Sequence, residues 1–411
     1  MSGPLSDITV LDLSRILAGP WSTQFFADLG AEVIKIERPQ RGDDTRSWGP
    51  PYLRHEQTGE ETTESAYYLS ANRGKKSVAI DMSSEQGQQL IRDLAVQADV
   101  VVENFKVGGL EKYGLDYAGL SAVNPRLVYC SITGFGQTGP YAKRAGYDLL
   151  IQGMSGLMSL TGMPEHEPQK TGIAICDLMT GMYASRACLA ALHARENTGR
   201  GQHIDLALFD TAVAWLANQG MNFLCSSNVP TRMGNAHPSL VPYQVLQVAD
   251  GEINLAVGND SQFRAFAELA GHPEWADDER FSTNPQRVAN REQLLQLMQP
   301  VLKEHSRSWW QRQCEERGVP AGPINSIGDS FADEQIQARG MQLSQPHPLA
   351  GSTPGVANPI RFSDTPLNYT SAPPLLGQHT VAVLCERLDM SEQAIQTLAE
   401  QGVVGYMATS N

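Results

Sequence analysis

The feature that most constrains this chain is the run of alternating strand and helix patterns at its amino-terminal end. "ITVLDLS" (8–14) reads as a buried strand, "WSTQFFADLG" (21–30) as a helix closed by Gly30 at C′, and "AEVIKIE" (31–37) as the next strand. A β-α-β unit of this length forces two parallel strands with a helix packed over them. "SVAID" (77–81) adds a third strand, and the helix after it could open with Ser83 and Gln86 as a capping box. "DVVVEN" (99–104) and "RLVYCSI" (126–132) continue the series. The expectation is an α/β chain that starts as a doubly wound, Rossmann-like sheet.

Such a sheet binds ligands where its strands end, so the first turn is the place to look. Here it reads "SRILAGP" (14–20), without the G-x-G-x-x-G that lets backbone approach a dinucleotide pyrophosphate. Glu37 ends the second strand, where dinucleotide enzymes place a ribose-binding acid; without the glycines a salt-bridged Glu is the better reading. The sequence also lacks a P-loop, an H-E-x-x-H pair, a G-x-S-x-G elbow and any histidine pair at metal-ligand spacing. No metal is expected.

Charge narrows the ligand further. The 31 basic and 45 acidic residues give a formal net charge of −14, which argues against nucleic acid or an anionic membrane as partner. A small anion at a local basic cluster remains compatible. Six scattered cysteines without a C-x-x-C pair suit a reducing compartment, and neither a leader-like segment nor an apolar run near the ~20 residues of a membrane span is visible. The chain is expected to be cytoplasmic.

With 411 residues, 41% of them hydrophobic, roughly two or three domains are expected. Residues 1–220 read as the first part of the large Rossmann-like domain. "SSNVPTRMGNAHPSLVP" (226–242) is a loop-like stretch within a smaller α+β domain spanning 221–330, whose strands include "YQVLQVAD" and "EINLAVG". Residues 331–411 read as a return segment that completes the large domain.

Three positions could carry chemistry. Asp177 stands where an apolar segment passes into a helix with Gly181, Ala184 and Ser185 on neighbouring turns. It reads either as an N-cap or as a carboxylate nucleophile held by amides and the helix dipole. Cys176 is a rival nucleophile, but no histidine lies near it in sequence, so a core cysteine is the better reading. Tyr147 and Asp148 precede a second helix. The basic loop "NRGKKS" (72–77), with Arg73, Lys75 and Lys76, could meet phosphates or simply be solvated.

The ordered set "LAGPWSTQFFADLGAEVIKIERP", "GDDTRSWGPP", "VVENFKVGGLEKYGL", "NPRLVYCSITGFGQTGP", "AGYD", "DLMTG" and "PLLGQHT" spans nearly the whole chain and resembles the class III CoA-transferase family, of the formyl-CoA transferase and carnitine CoA-transferase type. "NRGKKS", "RAGYD", "VPYQ" and "PPLLGQHT" make it most similar to the succinyl-CoA:glutarate branch. The resemblance implies two ring-shaped subunits interlocked as a homodimer, with both chain ends combined in the large domain. It makes Asp177 the catalytic nucleophile. CoA contacts would fall on Leu17, Ala18, Arg38, Ile80, Asp81, Met82, Ser83, Asn104, Phe105, Lys106 and Lys112, with Arg38 and Lys112 the natural phosphate partners by charge. Ala145, Gly146, Tyr147 and Asp148 would stand beside the reacting groups. CoA and acyl-CoA are then substrates, and no prosthetic group is implied.

The implied reaction passes through aspartyl anhydrides and an aspartyl-CoA thioester, with helix-end amides serving the developing oxyanions. A related α-methylacyl-CoA racemase would use a His and an Asp, but Tyr147 replaces that His, and phenol is a poor base near pH 7. A non-catalytic CoA-binding protein is the other alternative. The acceptor expected from the branch is a dicarboxylate such as glutarate, with succinyl-CoA as donor; Arg15, Arg46, Arg232 or His237 would hold the distal carboxylate.

Overall fold

The computed structural model describes residues 3–369 and 371–407. The chain forms two compact units. The first comprises Met1–Gly156, Thr171–Met221 and Gln335–Asn411, and the second Leu157–Lys170 with Asn222–Glu334. The excursion at Leu157–Lys170 is absent from the composition-based boundaries, because nothing in so short a stretch marks it.

The first unit is built on a seven-stranded sheet. Its strands are β1 (Thr9–Asp12), β2 (Glu32–Glu37), β3 (Lys75–Ile80), β4 (Val100–Glu103), β5 (Val128–Thr133), β6 (His203–Ala207) and β7 (Val404–Gly405). Their spatial order is β7-β3-β2-β1-β4-β5-β6, parallel except for β7. Strands β1 to β6 therefore follow the 3-2-1-4-5-6 order, with the crossover reversing direction beside β1.

Alternation along the strands explains why helices cover both faces. Val10, Val33 and Val128 face one side with Phe26, Ala184 and Cys188, whereas Leu11, Ile34, Val78 and Tyr129 face the other with Leu90, Ile91 and Leu94. Helices α1 (Ala18–Asp28) and α2 (Glu85–Val96) supply the β1-to-β2 and β3-to-β4 connections. The α2 cap is Ser84, which accepts from the Gly87 amide; Ser83, one residue short of the expected capping box, instead bonds Asp81. Helix α3 (Asp148–Met154) follows β5, and α4 (Ile175–Thr198) precedes β6. The carboxy-terminal helices Thr380–Leu388 and Glu392–Glu400 place Val383, Leu384 and Ile395 in the α2-side core, and β7 pairs with the edge of β3.

The second unit has an antiparallel hairpin, Tyr243–Val248 with Gly251–Ala256, extended by Ala321–Gly322. Its core gathers Phe263, Phe266, Trp275, Phe281 and Trp310. No helix among the described residues is long and apolar enough to cross a membrane.

Candidate active site

Charge, rather than glycine, shapes the carboxyl ends of β1 and β2. Lys35, fully buried, donates to the Ser14 carbonyl at 2.8 Å and pairs with Asp43 at 3.0 Å. Lys75, equally buried, meets Asp12 at 3.0 Å. Glu37 is the salt-bridged acid that the sequence favours: Arg46 grips it through Nε and Nη2, both at 2.8 Å, and also reaches Glu64 at 3.3 Å and the Pro374 carbonyl at 3.0 Å. Burial, the largest single influence, would raise the Glu37 carboxyl, but Arg46, Lys35 and Ser77 together outweigh it and hold it at about 2. Arg46 is thus an internal counter-ion, and the expectation that it holds a substrate carboxylate is overturned.

The "NRGKKS" loop is also committed inward. Arg73 forms a two-pronged pair with Asp28 at 2.7 Å, Lys75 is the buried partner of Asp12, and Lys76 bonds Glu32 at 2.6 Å. None of the three is a free phosphate ligand. Charge alone cannot separate a solvated basic loop from one whose acids arrive from distant strands.

These pairs hold the first turn in an unusual shape. Ile16 has φ 72°, a left-handed conformation that costs a β-branched residue on the order of 1–3 kcal/mol. The Asp43 carboxylate holds its amide at 3.2 Å, and Asn104 clamps the Arg15 backbone, accepting from its amide at 2.8 Å and donating to its carbonyl at 2.6 Å. Asn104, expected as a CoA contact, is here a brace for that turn.

A cleft of about 290 Å³ opens at these strand ends. Arg38, Ile80, Asp81, Met82, Ser83 and Phe105 line it, together with Arg15 and Tyr113. Arg38 is exposed there, and the Lys112 ammonium stands 4.5 Å from the ring centroid of Tyr113. Lys106 lines a second cleft of about 240 Å³ instead. Leu17 and Ala18 are buried at the start of α1 and line neither.

The carboxylate pair is assembled by two close backbone approaches. Helix α4 runs back toward β6, which puts its amino end at the carboxyl edge of the parallel sheet. Its buried face, Cys176, Thr180, Gly181, Ala184, Ser185 and Cys188, recurs every three to four residues. A Cβ on Gly181 would lie 2.6 Å from the Ala18 carbonyl and 3.2 Å from Trp21, so only glycine lets α4 approach the start of α1 this closely. Asp177 is one turn before Gly181 on the same helix face. The second approach is Gly146 against Gly134, where a Cβ on either would meet the other Cα at 2.6 Å. It seats the Ala145–Asp148 segment over the end of β5, with Tyr147 68% exposed and Asp148 half-buried.

Asp177 does not cap its helix. The cap position is Ala174, and Asp177 is the third residue of α4. Asp148 serves as the cap from outside: its Oδ1 accepts from the Cys176 amide at 2.8 Å and the Asp177 amide at 3.2 Å, while Oδ2 accepts from Gln152 at 2.6 Å. The Ile175 and Leu178 amides bond the Ile173 and Ala174 carbonyls. All four first-turn amides are therefore occupied, and the expectation that this helix end serves an oxyanion is corrected. Burial first, and the Asp148 charge second, push the half-buried Asp177 carboxyl up to about 7.

The Cys176 thiol is pushed up to about 12 by burial, then by Asp148 and Asp177, so thiolate chemistry is disfavoured. Tyr67 is a site residue that sequence reasoning missed. Its ring is T-stacked on Trp48 at 5.1 Å, and its phenol is raised by burial and then by Asp177, Asp148 and Asp43, which places it within electrostatic reach of the carboxylate pair. No local sequence signal points to it.

A half-buried carboxyl at a helix amino end is a candidate nucleophile. The CoA-transferase family III model matches residues 5–380. The chain belongs to this family. It is an enzyme of the class III CoA-transferases, and CoA thioesters are its substrates. It is 51% identical to a succinate–glutarate CoA-transferase of Agrobacterium fabrum over 93% of this chain and 95% of that protein. It is 42% identical to the human succinyl-CoA:glutarate CoA-transferase over 99% and 91% of the two chains. The crystal structure of a CaiB/BaiF family protein from Brucella suis superposes with TM-score 0.82 at 51% identity, covering 94% of this chain and all of that one. Rv3272 from Mycobacterium tuberculosis gives TM-score 0.82 at 29% identity, covering 92% and 99%.

Proposed function

We propose that this enzyme moves CoA from succinyl-CoA to glutarate through covalent intermediates on Asp177. The observation that carries the mechanism is the placement of Asp177: a half-buried carboxyl raised by that burial, one turn from the contact between α4 and the turn at Ala18. Desolvation makes a carboxylate more nucleophilic, and a water-poor site protects an anhydride from hydrolysis. The named activities of the relatives support the choice of acids.

Asp177 attacks the succinyl thioester carbonyl, the C–S bond breaks, and CoA leaves as thiolate with an aspartyl–succinyl anhydride behind it. Thiolate attacks the aspartyl carbonyl, succinate departs, and an aspartyl-CoA thioester forms. A glutarate carboxylate attacks that thioester and expels thiolate, which then takes the glutaryl group from the second anhydride and frees Asp177. Each leaving group departs as a thiolate or carboxylate and no proton is transferred, so no general acid is needed.

CoA lies along the strand-end cleft, with Arg38 and Lys112 as phosphate partners and Ile80–Ser83 and Phe105 along its path; Leu17, Ala18, Asn104, Lys106 and Ala145–Asp148 are the further expected contacts, outside the lining of that cleft. Arg46 is buried and the Arg232 guanidinium is bonded to the Met163, Pro164 and His166 carbonyls, which leaves Arg15, part-exposed in the cleft although paired with Asp44, and His237 as candidates for the distal carboxylate. The enzyme works as an interlocked homodimer in the cytoplasm, a compartment that suits its six unpaired cysteines.

Succinyl-CoA presented with a panel of C4 to C6 dicarboxylates tests the substrate reading. Glutaryl-CoA should form with release of succinate; absence of turnover with every member would refute it.

A further inference from the structure

Among the described residues the hydrogen-bond partners of Asp148 are all neutral, and one of them is buried more deeply than the carboxylate itself. Gln152 lies one turn after Asp148 on α3 and is fully buried. Its Nε2 donates to Asp148 Oδ2 at 2.6 Å, and its Oε1 accepts from the Thr171 amide at 2.9 Å. Thr171 is where the chain re-enters the first unit, four residues before α4 begins. The amide orientation is dictated by its partners: an ionised carboxylate can only accept and a backbone N–H can only donate. A single neutral group must therefore present a donor and an acceptor at once, in a place without water to substitute.

We propose that Gln152 is a positioning residue of the transfer reaction: its side-chain amide locks Asp148 against the first turn of α4 and ties the segment leading into that helix, so fixing where Asp177 presents its carboxylate. The proposal rests on Asp177 being the nucleophile. A misplacement of the order of an ångström at a reacting group costs roughly 100-fold in rate, which sets the effect expected.

The substitution Gln152→Glu makes this pH-readable. An ionised Glu cannot donate to Asp148 and repels it, whereas a protonated Glu restores both bonds. The predicted result is kcat reduced about 100-fold at pH 8, with KM for succinyl-CoA nearly unchanged. The variant-to-wild-type ratio of kcat should climb at least about tenfold by pH 6. Gln152→Leu should stay low at both pH values. The double variant D148N/Q152E exchanges donor and acceptor across the same contact, and should refold and regain part of kcat at pH 8 even if Q152E alone is unstable.

A ratio that does not move with pH, or a defect confined to KM, overturns the proposal. Asp177→Ala separates it from the reading beneath. If that variant is inactive while the Q152E ratio stays flat, only the role of Gln152 fails; if it still transfers CoA, the nucleophile assignment fails and the proposal with it.

Discussion

The Asp148 carboxylate accepts from the Asp177 main-chain amide at 3.2 Å, so the second acid of the pair caps the very turn that carries the first. The contact has two opposed consequences. Capping stabilises the amino end of α4, while the Asp148 charge disfavours ionisation of Asp177, already raised by burial to about 7. The nucleophile must be ionised, so kcat/KM should fall as pH drops through about 7.

Replacing Asp148 by Asn keeps an oxygen to accept from the two amides but removes the charge. The acidic limb of the kcat/KM profile should move to lower pH, only partly, because burial is the larger cause. A pH–rate profile of the variant checks this, and an unmoved or upward-shifted limb contradicts it. Lower kcat is also expected, since the amide caps less strongly than a carboxylate and its NH2 would face the Gln152 donor, breaking that bond.

Asp177 should itself be a stability liability. A carboxyl whose folded value lies above its unfolded value favours the folded state less and less as pH rises from about 4 to about 7, and not at all differently below that window. Asp177→Asn should therefore melt higher than wild type at pH 8 and equally at pH 4. The gain is on the order of 1 kcal/mol once solvent screening at a half-buried site is counted. Thermal denaturation at the two pH values decides it.

The Arg46–Glu37 pair makes the opposite prediction. Arg46→Met leaves buried Glu37 and Glu64 without their counter-ion and should cost about 3–5 kcal/mol at pH 7. In wild type, Glu37 contributes stability above its ordinary value that is lost only as pH falls toward about 2. In the variant the unpaired acid is relieved by protonation, so the gap should narrow between pH 7 and pH 4. Denaturant titrations across that range measure it. A variant that is fully stable but raised in KM for the acceptor would return Arg46 to a substrate-binding role.

Arg38 is exposed in the strand-end cleft and carries a different expectation. Arg38→Gln should raise KM for succinyl-CoA about tenfold, worth ~1.4 kcal/mol, with kcat preserved and the defect shrinking at high salt. An unchanged KM would remove Arg38 from the phosphate contacts.

Much of the fold is legible from period alone. Strands β1 to β5 bury both faces and read as short apolar runs, and helix α1 ends where Gly30 says it should. What period cannot reveal is where a polar side chain finds its partner. Arg46, Arg73 and Lys75 look like ligands for phosphate or carboxylate because their acids, Glu37, Asp28 and Asp12, lie on other elements. Asp177 looks like a cap because its helix begins nearby, yet the capping group comes from 29 residues upstream. Tyr67 has no local signal at all. Resemblance, not spacing, singles out Asp177.

The central claim is that Asp177 carries the acyl and CoA groups. The direct measurement is to incubate the enzyme with succinyl-CoA without acceptor, quench in acid, digest, and weigh the peptide containing Asp177 by mass spectrometry. The account predicts an adduct of CoA or succinate mass on Asp177, converted to a hydroxamate by hydroxylamine and absent from Asp177→Asn. An unmodified Asp177 peptide in an enzyme that turns over, or an adduct on another residue, would contradict it.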